Sequence, residues 1–227
     1  MNILYSATRN YYPYLTWTVR SLMEFNDARI FVFAEDDRIP CDFPCEVINV
    51  SQQNFIRTDS PNYRTRFTHM SLMRVLAPRL LTVDKVLYLD VDTIVCDNLQ
   101  PMYDTDLNGK WIGWVQERAG LWKPYGKPYF NFGVALMNLA QMRQDGVSET
   151  LVRALNERRY IFNEQDALNE IMTDEKMVAL DIRYNETSMT GRTQNPAIVH
   201  FAGIENWHTN RTMYRSEYLD KYRSVKR

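Results

Sequence analysis

Short apolar runs alternate with helical stripes along the first half of the chain. Asn2 to Ser6 is one such run, and Tyr14, Leu15, Trp17, Thr18, Leu22 and Phe25 follow at helical spacing, which predicts a strand leading into a helix. Ile30 to Ala34 and Val47 to Val50 are further short apolar runs bounded by Asp, Pro and Asn, the punctuation expected around strands two and three. From Phe67 to Leu81 apolar residues again recur with helical period. Val86 to Leu89 then reads as a buried strand ending in Asp90-Val91-Asp92. Such alternation predicts an α/β fold with a mostly parallel central sheet flanked by helices on both faces.

The texture changes between Trp111 and Gly133. There Trp111, Trp114, Trp122, Tyr125 and Tyr129 are interleaved with Gly113, Gly120, Gly126, Pro124 and Pro128, which predicts strands joined by a shaped loop. Phe132 to Leu139 reads as a buried strand, Ser148 to Tyr160 and Glu164 to Met172 as helices, and Ala197 to Phe201 as a last strand. Without a repeat or a low-complexity linker, residues 1–208 are expected to form a single domain. In the basic tail, 209–227, Tyr214, Tyr218, Tyr222 and Val225 share one helical stripe. Packing of that stripe against the body is the simplest expectation, and peripheral contact with an anionic membrane is the alternative.

Composition narrows the classes. A chain of 227 residues with 45% hydrophobic and 13% aromatic content can bury one substantial core. Its 27 Lys and Arg against 28 Asp and Glu leave a net charge of −1, so no general field attracts nucleic acid, and a polyanionic ligand needs a local site. Cys41, Cys45 and Cys96 are too few and too scattered for a disulfide framework and lack zinc-site spacing, so reduced thiols are expected. No apolar run reaches membrane-spanning length and Met1 to Asn10 lacks a signal-peptide pattern, which makes the cytoplasm the expected location.

The chemistry gathers at strand ends. Side chains alternate across a strand, so Asp90 and Asp92 point the same way if the geometry of Val86 to Leu89 persists. Two carboxylates at the carboxyl end of a strand in an open α/β sheet suit a hard divalent ion that also grips a diphosphate. In isolation Asp-x-Asp is more often a solvated turn or a helix cap. His200 ends another apolar run, Ile198-Val199-His200, with Gly203 just beyond, where a backbone can approach a phosphate. A lone histidine there is usually structural. Taken with the two aspartates it becomes a candidate third ligand for Mn²⁺ or Mg²⁺.

At this point six ordered segments resemble glycosyltransferase family 8, retaining enzymes of GT-A fold. They are Met1 to Tyr11; Met73-Arg74-Val75-Leu76; Asp84 to Asp92; Tyr129-Phe130-Asn131-Phe132-Gly133-Val134; Glu164-Gln165-Asp166-Ala167-Leu168-Asn169; and His200-Phe201-Ala202-Gly203. The resemblance implies a metal-dependent retaining hexosyltransferase that takes a UDP-sugar, UDP-glucose or UDP-galactose, to a glycan, lipid-linked glycan or protein acceptor. It implies metal ligation by Asp90, Asp92 and His200. It also implies donor binding by Ser6, Thr8, Asn10, Tyr11 (stacked on uracil), Arg74, Asp90, Val91, Asp92, Asn131, Glu164, Gln165, His200 and Gly203. Gln165, Asp166, Glu164 and Arg74 are the implied catalytic group. The chain departs from the family pattern at Thr8, Phe132 and Glu164, and most sharply after Gly203, where Ile204-Glu205-Asn206-Trp207 replaces a Lys-Pro-Trp run. Lys123 or Arg192 is the candidate substitute cation. Two other classes stay open: a non-catalytic nucleotide-sugar or glycan-binding module, hinted at by Glu205, and a nucleotidyltransferase, disfavoured because Ser6 to Asn10 is not a Gly- and Lys-rich phosphate loop.

Overall fold

The computed structural model describes residues 1–63, 65, 67–117 and 127–223. Expectations about Gly120, Trp122, Lys123, Pro124, Tyr125, Gly126 and Val225 lie outside the described residues. In chain order the elements are β1 (Asn2–Ala7), α1 (Tyr12–Met23), β2 (Arg29–Ala34), β3 (Glu46–Asn49), α2 (His69–Leu72), α3 (Ala77–Leu80), β4 (Lys85–Leu89) and β5 (Thr93–Val95). There follow α4 (Gln100–Tyr103), β6 (Ile112–Gln116), β7 (Phe130–Asn138), α5 (Leu139–Gln144), α6 (Val147–Glu157), α7 (Asn163–Ile171), β8 (Met177–Ala179), β9 (Ile198–His200) and α8 (Asp220–Arg223).

A seven-stranded sheet has the order β3-β2-β1-β4-β7-β6-β8, and β5 and β9 form a separate two-stranded antiparallel sheet. In the large sheet β7 runs against both of its neighbours, and all other pairs are parallel. The period-2 pattern of the strands distributes their side chains between two cores. Ile3, Tyr5, Leu87, Leu89, Val134 and Leu136 pack on the face covered by α1, whereas Leu4, Val86, Tyr88, Ala135 and Met137 pack on the face covered by α5 to α7. Both faces are covered, which is why the central strands read as nearly continuous apolar runs.

Two local outcomes differ from the sequence expectation. The helix expected over Phe67 to Leu81 is broken: α2 and α3 are separated by a 3-10 turn at Met73–Leu76. Pro78 has no N–H to bond the Arg74 carbonyl four residues back, and its ring crowds that carbonyl, so Arg74 O accepts from Ala77 N–H in the tighter pattern. Helix α1 ends at Met23, so Phe25 falls off its stripe and is exposed.

Three features position the site. At the carboxyl end of β4 the chain passes through Asp90-Val91-Asp92 into β5, whose Thr93 pairs with His200 of β9, and Phe201 N–H bonds Asp92 O at 2.9 Å. A register shift opposite β7, where Trp114 pairs with Ala135 but Val115 with Asn131, frees Phe132 to Val134 from β6. Gly133 O then accepts Asp90 N–H at 2.7 Å. At the C-terminus Leu219 and Tyr222 are buried in the same core as α1, Tyr214 hydroxyl bonds Glu186, and Arg215 donates to Thr193 O at 2.5 Å. Among the described residues no helix is long and apolar enough to cross a membrane.

Candidate active site

Asp90, Asp92 and His200 each offer one ligand atom, and these atoms lie within 4.8 Å of one another. His200 Nε2 is 3.2 Å from Asp92 Oδ1 and 3.8 Å from Asp90 Oδ2. The imidazole is buried, while both carboxylates are partly open to solvent. Burial alone pulls the His200 pKa down, but the combined pull of Asp92, Asp90 and Glu117 outweighs it and raises the value. Burial likewise opposes the charge of Asp92, and His200 reverses the sign, so the Asp92 carboxyl is lowered. Two carboxylates facing one imidazole nitrogen form a donor set that a divalent cation satisfies.

The other nitrogen of His200 is committed. Nδ1 lies 2.9 Å from Asn185 Oδ1, Asn185 Nδ2 donates to Asn131 Oδ1 at 2.9 Å, and Asn131 Nδ2 donates to Glu117 Oε1 at 2.7 Å. Every member of this chain is buried. Because an amide oxygen only accepts, it holds the Nδ1 proton and leaves Nε2 facing the aspartates. Burial is the main cause that pushes the Glu117 carboxyl up, with the Asn131 bond and His200 acting against it. Glu117 Oε2 is buried with no hydrogen-bond partner.

Gly133 sits against this group. A Cβ there would lie 2.1 Å from His200 Cε1, 2.6 Å from Asp90 Oδ2 and 2.8 Å from His200 Nε2, so only glycine fits. Gly133 N–H also donates to Asn131 Oδ1 at 2.9 Å, tying the strand to the Asn185 chain.

Arg74, on the 3-10 turn between α2 and α3, closes the site from below. Its Nη1 donates to Asp90 Oδ1 at 3.1 Å and to Phe132 O at 2.8 Å, its Nε donates to Glu164 Oε1 at 2.9 Å, and Nη2 bonds the same oxygen. Its guanidinium lies over the rings of Phe132 and Tyr88, at 4.7 and 5.1 Å. Burial opposes its charge, but Asp90 and Glu164 outweigh that cost and raise its pKa. Burial pushes the Glu164 carboxyl up against the pull of Arg74, and Glu164 Oε2 is a second buried oxygen without a partner. Tyr88 hydroxyl completes the set, donating to Asp90 Oδ1 at 2.6 Å.

Helix α7 carries the remaining expected residues. Gln165 Oε1 accepts Phe132 N–H at 2.9 Å and its Nε2 donates to Tyr129 hydroxyl at 2.9 Å, so its amide is fixed in one orientation. Asp166 is fully buried, and its oxygens are taken by Tyr129 hydroxyl at 2.5 Å and by the Ile161 and Phe162 N–H groups at 2.9 and 2.8 Å. It clamps the start of α7. At the other end of the site Tyr11 is exposed, edge-on to Tyr14, and its pKa is raised by burial first and by Asp92 second. Ser6 Oγ donates to Met70 O at 2.6 Å, Thr8 O accepts Tyr11 N–H at 2.9 Å, Asn10 is exposed and Val91 is buried. Gly203 is exposed with φ +69°, and Arg192 stands over the Tyr214 ring at 4.8 Å. Of the residues that sequence reasoning left out, Tyr88 was legible from its place two before Asp90 on one strand face. Glu117 and Asn185 carry no periodic or motif signal.

The fold is GT-A, with paired aspartates after β4 meeting the histidine that ends β9, and its class is that of the glycosyltransferases. The family model for glycosyl transferase family 8 matches residues 2–211, and the chain belongs to that family. It is 27% identical over 204 residues to general stress protein A of Bacillus subtilis, covering 73% of this chain and 70% of that one. It is 26% identical over 247 residues to the lipopolysaccharide glucosyltransferase WaaO of Escherichia coli, covering 92% and 73%. Its fold matches that of the galactosyltransferase LgtC, solved with donor and acceptor sugar analogues, at a TM-score of 0.76 and 21% identity over 97% of this chain and 94% of that one. Against streptococcal glycosyltransferases that it also matches, the chain spans between 29% and 57% of their length.

Proposed function

We propose that this chain transfers glucose or galactose from a UDP-sugar to a glycan, lipid-linked glycan or protein acceptor, in the cytoplasm and with retention at the anomeric carbon. The observation that carries the reading is the meeting of Asp90, Asp92 and His200 at the end of β4, with the Arg74 charge directly behind Asp90. Relatives named as a glucosyltransferase and a galactosyltransferase support either hexose. In this reading residues 1–208 are the catalytic domain and 209–227 a tail whose Leu219 and Tyr222 pack on it.

The donor set fits Mn²⁺ or Mg²⁺, held by Asp90, Asp92 and His200. Such an ion, when bound, supplies positive charge to the diphosphate of the donor as UDP departs. The chain's own residues do the rest. Tyr11 offers an exposed ring for uracil, with Thr8 and Asn10 beside it. Arg74 keeps a permanent charge near the aspartates and, through Phe132 O and Glu164, cannot turn away. Glu164 Oε2 is an acceptor for a sugar hydroxyl, Asn131, whose oxygen is already taken by Asn185 and Gly133, keeps one Nδ2 proton for a sugar oxygen, and Gln165 presents a pre-oriented amide near the reacting carbon. Asp166, with both oxygens engaged, acts as the residue that positions α7. Gly203 lets the chain approach phosphate where Glu205 supplies no cation.

The test is UDP release from a panel of UDP-sugars with Mn²⁺, with and without EDTA, beside Asp92→Ala. Metal-dependent turnover lost in the variant is the expected result, and NMR of the product should show the retained anomer. Absence of turnover with every donor, together with no UDP binding by calorimetry, refutes the reading.

A further inference from the structure

The Cys41 and Cys45 sulfurs are 3.7 Å apart in the connection between β2 and β3. Both cysteines are half-buried. The segment between them is held in place: Phe43 is buried against the core of α1, and Asp42 pairs with Arg20. The two sulfurs are therefore neighbours by construction rather than by chance collision of a loose loop. A disulfide needs them about 1.7 Å closer. Neither cysteine belongs to a strand or helix, so no ladder hydrogen bond has to break. The weak bond from Cys41 S–H to Phe43 O, at 3.5 Å, and the S–H···S contact of the pair itself are what is given up.

We propose that Cys41 and Cys45 form a reversible intramolecular disulfide when the protein meets a small-molecule disulfide oxidant. Burial, then its bond to Cys41, pushes the Cys45 thiol up to about 12. One cysteine of the pair, as its thiolate, attacks one sulfur of the oxidant, forms a mixed disulfide and expels one thiolate. Its neighbour then attacks the protein sulfur of that mixed disulfide, giving up its proton to the second departing thiolate. One oxidant disulfide is reduced to two thiols as the protein dithiol loses two hydrogens. Cys96 takes no part, since burial pushes its thiol up to about 12 and no second sulfur lies beside it among the described residues. The bridge stiffens the connection whose first residues, Glu35 and Asp36, hold the Arg9–Tyr11 turn.

The experiment treats the folded full chain with glutathione disulfide and reads intact mass. Wild type and Cys96→Ser should lose two hydrogens and retain no glutathione, a tryptic map should link Cys41 to Cys45, and dithiothreitol should restore the original mass. Cys45→Ser should stop at one glutathione on Cys41. Glutathione retained on wild type, a bridge involving Cys96, or two thiols still open to alkylation after equilibration would each overturn the proposal.

Discussion

Replacing Gly133 by alanine adds one methyl group at the most crowded point of the site. The new Cβ would stand 2.1 Å from His200 Cε1, whereas ordinary contact begins at 3.4 Å, so the ring must retreat by about 1.3 Å. That retreat breaks the 2.9 Å contact with Asn185 or carries Nε2 away from Asp92, and Asp90 Oδ2, 2.6 Å from the same Cβ, must move as well. Metal ligation tolerates displacements of about 0.2 Å, so two of three ligands are spoiled at once. The expected outcome is at least a roughly tenfold loss of Mn²⁺ affinity, about 1.4 kcal/mol, with overpacking lowering stability by about 1–3 kcal/mol. Gly133 has no positive φ, so backbone strain does not contribute. Calorimetric titration of Mn²⁺ in the presence of UDP, beside a thermal melt of the same sample, separates the two effects. A variant that binds Mn²⁺ within about twofold of wild type and melts at the same temperature refutes the argument.

Three further outcomes follow from the same contacts. Arg74→Met leaves Glu164 buried and unpaired, and urea unfolding should show a loss of about 3–5 kcal/mol, with Glu164→Gln in the same chain recovering part of it. Asn185→Leu removes the acceptor that holds His200 Nδ1, and Mn²⁺ affinity should fall about 10–100-fold while UDP-sugar chemistry at saturating metal changes less. In metal-free protein, Asp92→Asn should lower the His200 pKa, followed by NMR, because burial is then less opposed. The His200 contribution to stability is present below the ordinary imidazole value of 6.5 and is lost as pH rises through its raised value. The stability gap between wild type and Asp92→Asn should therefore be wider near pH 6 than near pH 9, and a gap that widens with pH contradicts the assignment.

Much of the architecture was written locally. The apolar runs at Asn2 to Ser6, Ile30 to Ala34 and Val86 to Leu89 became β1, β2 and β4, and helical periods became α1, α6 and α7, because strand and helix each impose a fixed spacing on buried side chains. Asp90 and Asp92 were legible from their place just after the Val86 to Leu89 run, but the strand stops at Leu89, and a turn into β5 rather than strand alternation brings both carboxylates to the site. The broken helix at Met73–Leu76 was less so. Its apolar spacing fits an α-helix, and only the conflict between Pro78 and the Arg74 carbonyl, with the pull of Asp90 and Glu164 on Arg74, shows why the turn tightens.

What the chain order alone could not express is distance between segments remote in sequence. His200 meets Asp92 because β9 pairs with β5, and it presents Nε2 because Asn185, Asn131 and Glu117 line up behind it. Asp166 and Gln165 look equally available on a helix stripe, yet only tertiary contacts with Tyr129, Phe132 and the Ile161 and Phe162 amides give each its task. By itself the sequence determined which elements form and which carboxylates end a strand, since those follow from side-chain period and backbone geometry. The tertiary structure decided which polar groups are satisfied by one another and which are left free for a ligand, because a buried donor or acceptor finds its partner across space rather than along the chain.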